Sequence, residues 1–260
     1  MKLQDNYRIK SFDKIVSVLR LFSAERQTLE FKEIQEALGF NKSTLYRLLS
    51  NLVEQELLCQ DASDHRYKLG PFLARFGFIT CQNFSLRNIS APILKELAAR
   101  TGKTVHLAQR IGNEAFYLDR QDGQETLIVK SRTGMTRPIY STGLGKVLAA
   151  YLKEDELKKL VNNIEFKPFT QNTITDPKLF MEKMKEIREK GYALDNREHN
   201  MDIRCVAVPV WGNSQIVISA ISIAGPYFHF NSRTIPRFAR EAKDAAAKIH
   251  SEIIKSGVEI

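Results

Sequence analysis

The chain has 260 residues, of which 43% are hydrophobic, and carries a net charge of +9. This length accommodates two ordinary domains, and no run approaches the roughly 18 apolar residues that span a membrane. Cys59, Cys81 and Cys205 lie far apart with no CxxC pair, which argues against a disulfide framework and a zinc site and favours a reducing compartment. The charged N-terminus lacks the apolar segment of a signal peptide, so we expect a cytoplasmic protein with no membrane partner.

The positive charge suits a polyanionic partner, but it is not concentrated in one region. Residues 1–80 contain 12 Lys and Arg against 10 Asp and Glu, whereas the other 180 residues contain 27 against 20. Bulk charge is therefore weak support for nucleic-acid binding, and the local arrangement of residues has to carry that argument.

The first 56 residues predict three helices. Apolar residues recur at helical spacing over residues 11–23, 30–38 and 41–56. Gly39 is a stop signal for the second helix and Asn41 is an N-cap for the third. A tight turn between two such helices, with a third in front, is typical of a helix-turn-helix.

Two short extended runs, residues 57–60 and 66–69, follow around a polar turn. They predict a β-hairpin, and a hairpin directly after the recognition helix is a wing. We therefore assign residues 1–70 to a winged helix-turn-helix domain. Gly70-Pro71 then opens a helical pattern, and we assign residues 71–84 to a linker helix because no Gly/Ser-rich linker is present.

The remainder, residues 85–260, mixes helical and alternating patterns and predicts an α+β domain. Strands are expected at 104–111, 114–121, 126–132, 192–196, 203–211 and 215–223, and helices at 86–100, 142–151, 154–161, 177–190 and from about 232.

The predicted recognition helix has a polar, basic face, and no acid occurs between residues 37 and 53. Arg47 has the geometry to read a guanine edge or grip a phosphate. The other expected DNA contacts suit phosphates, a thymine methyl or the minor groove; on the helix they are Asn41, Lys42, Ser43, Thr44, Tyr46, Ser50 and Asn51, and on the wing His65, Arg66 and Lys68. The plainer alternatives are a solvated helix face and a winged helix that binds protein.

The stretch LGFNKSTLYRLLSNLVEQELL, followed by RYKLG, resembles the isocitrate-lyase-regulator (IclR) family of transcription regulators. Three further stretches agree: RPIYSTGLGKVLAAYL, REKGYALDNREHNMDIRCVAVPVW and ISAISIAGP. The resemblance implies a winged helix-turn-helix joined by a linker helix to a GAF-like effector-binding domain. It further implies a homodimer or homotetramer that binds palindromic double-stranded DNA.

The segment Ser141 to Lys146 is a glycine turn that feeds a helix, and its free backbone N–H groups suit a carboxylate or phosphate. A tight connection without a ligand is an equally good interpretation. The resemblance implies a pocket for a small acidic or aromatic effector. Ile128, Val129, Met135 and Ile139 are candidates for its apolar lining, and plain core residues are the alternative interpretation. Its expected binding residues are Gly143, Leu144, Asp195, Cys205 and Ser222. The second serine of the family's ISIS pattern is Ala224 here, which favours a less oxygen-rich effector.

No catalytic motif is recognisable, so we expect a ligand-responsive regulator of a catabolic operon rather than an enzyme, with no cofactor and no metal. His106, His199 and His229 show no spacing typical of a metal site and are treated as ordinary. Two other functions stay open. One is an enzyme-like sensor domain with residual activity; the other is a protein-interaction module, which would need an apolar recognition face.

Overall fold

The computed structural model describes residues 9–23, 26–82, 85–124 and 131–257, with backbone only for 78–82. The chain forms two compact units, residues 1–84 and 85–260. Each unit has its own sheet and its own helices. The finer division of the first unit into a domain at 1–70 and a linker helix at 71–84 stays a prediction.

Three helices build the first unit: α1 (Lys10–Leu19), α2 (Phe31–Leu38) and α3 (Lys42–Glu54). Their buried residues recur at helical spacing and form one core that includes Val18, Ile34, Leu45, Leu49 and Leu52. Gly39 ends α2 in the left-handed conformation, with φ of 67°, and Asn41 caps α3, as the sequence predicted.

The wing of the first unit is a three-stranded antiparallel sheet in the order β1-β3-β2. Strands β2 (Leu58–Gln60) and β3 (Tyr67–Leu69) are the predicted hairpin. Strand β1 (Thr28–Leu29) was not predicted, because two residues are too few to show alternation. The helix α4 (Pro71–Gln82) follows the wing.

A six-stranded antiparallel sheet, in the order β6-β5-β4-β9-β8-β7, forms the centre of the second unit. Because the adjacent strands β4, β9 and β8 are long and pair over residues 104–108, 220–226 and 203–209, side chains far apart in sequence lie in adjacent rows. The strands are β4 (Thr104–Ile111), β5 (Glu114–Gln121), β6 (Thr136–Pro138), β7 (Ala193–Asn196), β8 (Ile203–Trp211) and β9 (Val217–Pro226).

Both the odd and the even residues of β8 are buried from 205 to 210, which shows that both faces of this sheet are covered. Helix α6 lies on the face that carries Cys205, and α5 and α9 also pack on the sheet. The helices are α5 (Ser85–Thr101), α6 (Gly143–Ala150), α7 (Glu154–Asn162), α8 (Pro177–Lys190) and α9 (Thr234–Ser256). The fold is thus the α+β class that the sequence predicted.

Two features of the second unit differ from the sequence-based expectation. Strand β6 and a short 3-10 helix, Tyr227–His229, were not predicted, because each contains only three residues. The strand expected at 126–132 falls mostly on residues 125–130, outside the described residues, together with Ile128 and Val129. No described helix is long and apolar enough to cross a membrane.

Candidate DNA interface and effector cavity

One face of α3 is free of packing contacts with the core. Leu45, Leu49 and Leu52 are buried, so the opposite side of the helix is turned to solvent. Six of the predicted DNA contacts are exposed there and Thr44 is half-buried; the exposed ones are Lys42, Ser43, Tyr46, Arg47, Ser50 and Asn51. Tyr46 is 64% exposed, which places a large ring among donors on this surface.

Asn41 is exposed, but its side chain already has a structural role. Its Oδ1 accepts a hydrogen bond from Thr44 N at 2.9 Å, which is the capping bond of α3. On the wing, His65 is exposed at the tip with φ of 56°, and Lys68 lies 3.6 Å from Asp61. Lys68 is itself half-exposed, so this pair constrains it weakly.

Arg66 does not extend into solvent. Its guanidinium donates to Glu30 Oε1 at 2.5 Å, to Glu33 Oε2 at 3.0 Å and to Thr28 Oγ1 at 3.2 Å. These bonds tie the wing to β1 and to the start of α2. Three of the five N–H donors of Arg66 are engaged within the domain, so we rank it below Lys68 as a DNA contact.

In the second unit, the sheet register brings three of the predicted effector residues together. Asp195 on β7 pairs with Cys205 on β8, and Cys205 pairs with Ala224 on β9. Ser222 lies two residues before Ala224 on the same face and pairs with His106 on β4. All five side chains line one cavity of about 190 Å³. It is smaller than a typical drug-sized site and suits a small metabolite.

Most other lining residues were missed by sequence reasoning. Two of them are His106 and His199, which the sequence offered only as ordinary histidines without metal-site spacing and which the structure places in the cavity wall. Spacing along the chain gave no signal for them, because β4 and the turn after β7 meet only in the folded sheet. The remaining lining residues are Tyr117, Ser131, Arg137, Thr142, Asn200 and Ile203.

His106 is a neutral, firmly held side chain at one wall of the cavity. Its Nε2 lies 2.7 Å from Ser131 Oγ and its Nδ1 lies 3.3 Å from Ser222 Oγ. Burial, assisted by the charge of Arg120, lowers the pKa of His106 to about 3. Burial likewise lowers the pKa of His199 to about 4, and Ser141 Oγ lies 3.0 Å from its Nδ1. Both rings are therefore uncharged at neutral pH.

Asp195 is the buried carboxyl of the cavity. Burial raises its pKa to about 7, although the charge of Lys146 acts in the opposite direction. Cys205 beside it is also buried, and burial together with the Asp195 charge raises the pKa of this thiol. Cys205 is therefore a neutral thiol near neutral pH and a poor nucleophile.

The glycine turn does not open into the cavity. A Cβ on Gly143 would lie 2.7 Å from Cys205 Sγ, and one on Gly145 would lie 2.2 Å from the Ile139 carbonyl oxygen. Thr142 Oγ1 already accepts from Gly145 N at 3.1 Å. Leu144 is buried in the hydrophobic core. The geometry thus favours a tight strand-to-helix connection, in which Thr142 alone of this turn lines the cavity.

Of the expected apolar lining residues that are described, Met135 and Ile139 belong to the hydrophobic core rather than to the cavity wall. Within the described ranges, no three His, Cys, Asp or Glu side chains are grouped as metal ligands would be.

Family models match both units of the chain. The family described as "IclR helix-turn-helix domain" matches residues 11–62, and "Bacterial transcriptional regulator IclR C-terminal" matches residues 79–251. The Escherichia coli HTH-type transcriptional regulator XynR is 32% identical, over 91% of this chain and 94% of its own length.

Solved structures share the fold. The Thermotoga maritima IclR structure is 31% identical, with a TM-score of 0.67, over 94% of this chain and 97% of that one. An IclR homolog from Microbacterium hydrocarbonoxydans, complexed with 4-hydroxybenzoate, is 20% identical with a TM-score of 0.77, over 94% of this chain and 99% of that one. The exposed face of α3, the polar cavity and these matches lead to one conclusion: the chain belongs to the IclR family of bacterial transcriptional regulators.

Proposed function

We propose that this regulator binds a small carboxylate in the cavity and that binding changes its affinity for a palindromic site on double-stranded DNA. The observation that carries the ligand class is the lining: Arg137 is its cation, beside two uncharged histidines and several hydroxyl groups. A guanidinium in a confined, largely buried site is well suited to a carboxylate. The regulated genes, by this proposal, form a catabolic operon.

The DNA-binding part of the proposal rests on α3. Its exposed side chains at 43, 46, 47 and 50 share one helical face, as required of a helix that enters the major groove by its N-terminal part. The face is polar and basic, whereas a protein-binding helix would present apolar residues. We propose Lys42, Ser43, Tyr46 and Arg47 as the central contacts, with His65 and Lys68 on the wing.

Effector control requires two arrangements of the protein that differ in affinity for the ligand. A coupling of about 1–3 kcal/mol between the sites changes operator affinity about 5- to 150-fold. We further propose a cytoplasmic homo-oligomer without catalytic activity, because paired recognition helices enlarge the small footprint of one. Light scattering that finds only monomer at working concentration would contradict the oligomer.

The test is a gel-shift titration against DNA from upstream of the protein's own gene, at two salt concentrations. We expect tight binding that resists competitor DNA, and release by a carboxylate; 4-hydroxybenzoate and D-gluconate serve as the aromatic and the polyhydroxylated probe. Weak binding that ignores sequence and collapses with salt would reduce the interaction to bulk charge.

A pair of variants tests the cavity itself. Arg137→Gln is expected to bind the operator normally and to lose the response to carboxylates. Arg132→Gln is the matched control, because Arg132 is exposed and does not line the cavity. Equal responses in the two variants would reject Arg137 as the anion contact.

A further inference from the structure

Behind the cavity lies a buried ion pair that no ligand contact explains. Lys146 on α6 is fully buried, and its Nζ lies 2.5 Å from Glu198 Oε1. The same Nζ donates to the Leu194 carbonyl oxygen at 2.7 Å. A lysine ammonium without access to water is costly unless it is paired, so both bonds are needed.

Glu198 links this pair to the turn that follows β7. Its Oε1 also accepts from Asn196 N at 3.1 Å, and its own N–H donates to Asp195 Oδ1 at 2.8 Å. Its carbonyl oxygen accepts from Thr170 and Thr173. The pair therefore holds the backbone on each side of Asp195. Lys146 bonds to Leu194 before it, and Glu198 bonds to Asn196 after it.

The pair is not arranged for stability alone. Glu198 Oε2 is buried and has no hydrogen-bond partner among the described residues. An unsatisfied carboxylate oxygen of this kind lowers stability, and replacing a buried pair with apolar side chains is often neutral or favourable. An arrangement that keeps two buried charges beside a cavity, at a cost in stability, is more typical of a functional site.

We propose that Lys146 and Glu198 are positioning residues of the effector cavity: they fix the Asp195 carboxyl in place and set its charge, so that the cavity takes up a proton together with an anionic ligand. The statement about the ligand rests on the function proposed above. A carboxylate entering a desolvated site beside Asp195 disfavours the charged form of that side chain. The proton then resides on Asp195, which becomes a hydrogen-bond donor to the ligand.

The two members of the pair act on Asp195 in opposite directions. The ammonium of Lys146 lowers the Asp195 pKa, and the carboxylate of Glu198 raises it by a smaller amount. Among the described residues, the titratable or charged groups that act on Asp195 or line its cavity come from several elements: Lys146 on α6, Glu198 and His199 in the turn, Cys205 on β8, Tyr117 on β5, Arg137 on β6 and His106 on β4.

The role of Lys146 and Glu198 in setting the charge of Asp195, on which the proposal depends, is tested without ligand or DNA by pH-difference infrared spectroscopy of the full chain. A buried protonated carboxyl has a distinct C=O stretching band, and Asp195→Asn identifies which band belongs to Asp195. In the wild type we expect this band to appear with a midpoint near pH 7 as the pH is lowered.

Two variants then separate charge from mere structural support. Glu198→Gln is expected to move the midpoint down by about one pH unit, and the double variant Lys146→Met/Glu198→Gln to move it up by about one pH unit. The double variant Lys183→Met/Glu186→Gln removes the ion pairs of Glu186 with Lys183 (2.8 Å) and Lys190 (2.5 Å) elsewhere in this unit and is the control, with no shift expected.

A midpoint that stays at the wild-type value in Glu198→Gln overturns the proposal, as do shifts of both variants in the same direction. If the Lys146→Met/Glu198→Gln variant does not fold, the test is the midpoint of the Asp195 band in Glu198→Gln compared with that in the Lys183→Met/Glu186→Gln control. Because the measurement uses neither operator nor effector, its failure leaves the regulator proposal standing, and a failed gel shift leaves this one standing.

Discussion

The two units of the chain place their functional residues in opposite environments. In the first unit the proposed contacts are exposed on α3, and among its described residues the core contains no buried polar group apart from the Tyr67 hydroxyl. In the second unit the cavity and the groups behind it are buried, including His106, Asp195 and Lys146. In the first unit the proposed functional side chains and the core side chains are therefore different residues. In the second unit the proposed functional side chains are themselves buried, so a change in one of them also affects stability.

The largest expected effect is the loss of stability caused by a cavity in the core of the first unit. Leu49 is fully buried, so Leu49→Ala is expected to lower the free energy of unfolding by about 2–5 kcal/mol and to weaken operator binding only through unfolding. Denaturant titration and gel shift on the same preparations measure both. Leu69→Ala, at a 48% exposed position of the wing, is the control and should change stability little.

The second unit is expected to gain stability when its buried acid is neutralised. The Asp195 pKa is raised to about 7 in the folded protein from 3.8, so folding takes up a proton between these values. Wild-type stability therefore falls as pH rises through this window, and the full cost is present above pH 7. Asp195→Asn should then be more stable than wild type, by at most about 4 kcal/mol, and should match it below pH 4.

Denaturant unfolding at pH 4, 6 and 8 measures this difference. A stability gain that is the same at all three values would mean that the Asp195 carboxyl does not change protonation on folding, and it would remove the contrast between the two units.

A substitution at Arg47 tests whether an exposed residue of α3 affects DNA binding without affecting stability. Arg47→Ala is expected to leave stability unchanged and to weaken specific operator binding by about 1–3 kcal/mol if the guanidinium reads a base. Binding of specific and random DNA by gel shift distinguishes the roles, since a phosphate contact lowers both equally. Lys32→Ala, on the exposed side of α2, is the matched loss of a surface charge.

The smallest effect is expected at Arg66, which joins the wing to α2 through partly exposed ion pairs. Such pairs contribute little, so Arg66→Ala should lower the free energy of unfolding by less than about 1 kcal/mol. Arg66→Ala should also weaken operator binding by less than about 1 kcal/mol. Lys68→Ala should instead reduce the salt dependence of operator binding by the equivalent of about one phosphate contact. The reverse order would rank Arg66 above Lys68 as a DNA contact.

The sequence predicted the first unit more completely than the second. Periodicity and capping signals are local, so the helices α2 and α3, the Gly39 turn and the exposed face of α3 followed from short stretches. What was missed there, such as the engagement of Arg66 by Glu30 and Glu33, involves residues more than 30 positions apart. The sequence alone does not show whether a charged side chain is exposed to solvent or paired with a residue far away along the chain.

The cavity was predicted only where the family resemblance supplied positions, and Asp195, Cys205 and Ser222 lie together in it. His106 lies on β4, which the sequence predicted as a strand but without its neighbours, and Arg137 lies on β6, which the sequence did not predict. Gly143 was expected at the ligand, but it serves a close approach of α6 to Cys205. Spacing alone does not distinguish a glycine that exposes backbone from one that admits a neighbouring strand.

The sheet register has a consequence for how such regulators diverge. Residues 205, 222 and 224 occupy strand positions that are paired with a neighbouring strand on both sides, and residue 203 is paired with β9. A change of side chain at any of them alters the chemistry of the cavity wall without a change in chain path. In the function proposed here, a copy that arises by gene duplication can therefore acquire a new signal through single substitutions in this row, while the proposed DNA contacts on α3 (Lys42–Glu54) are inherited unchanged.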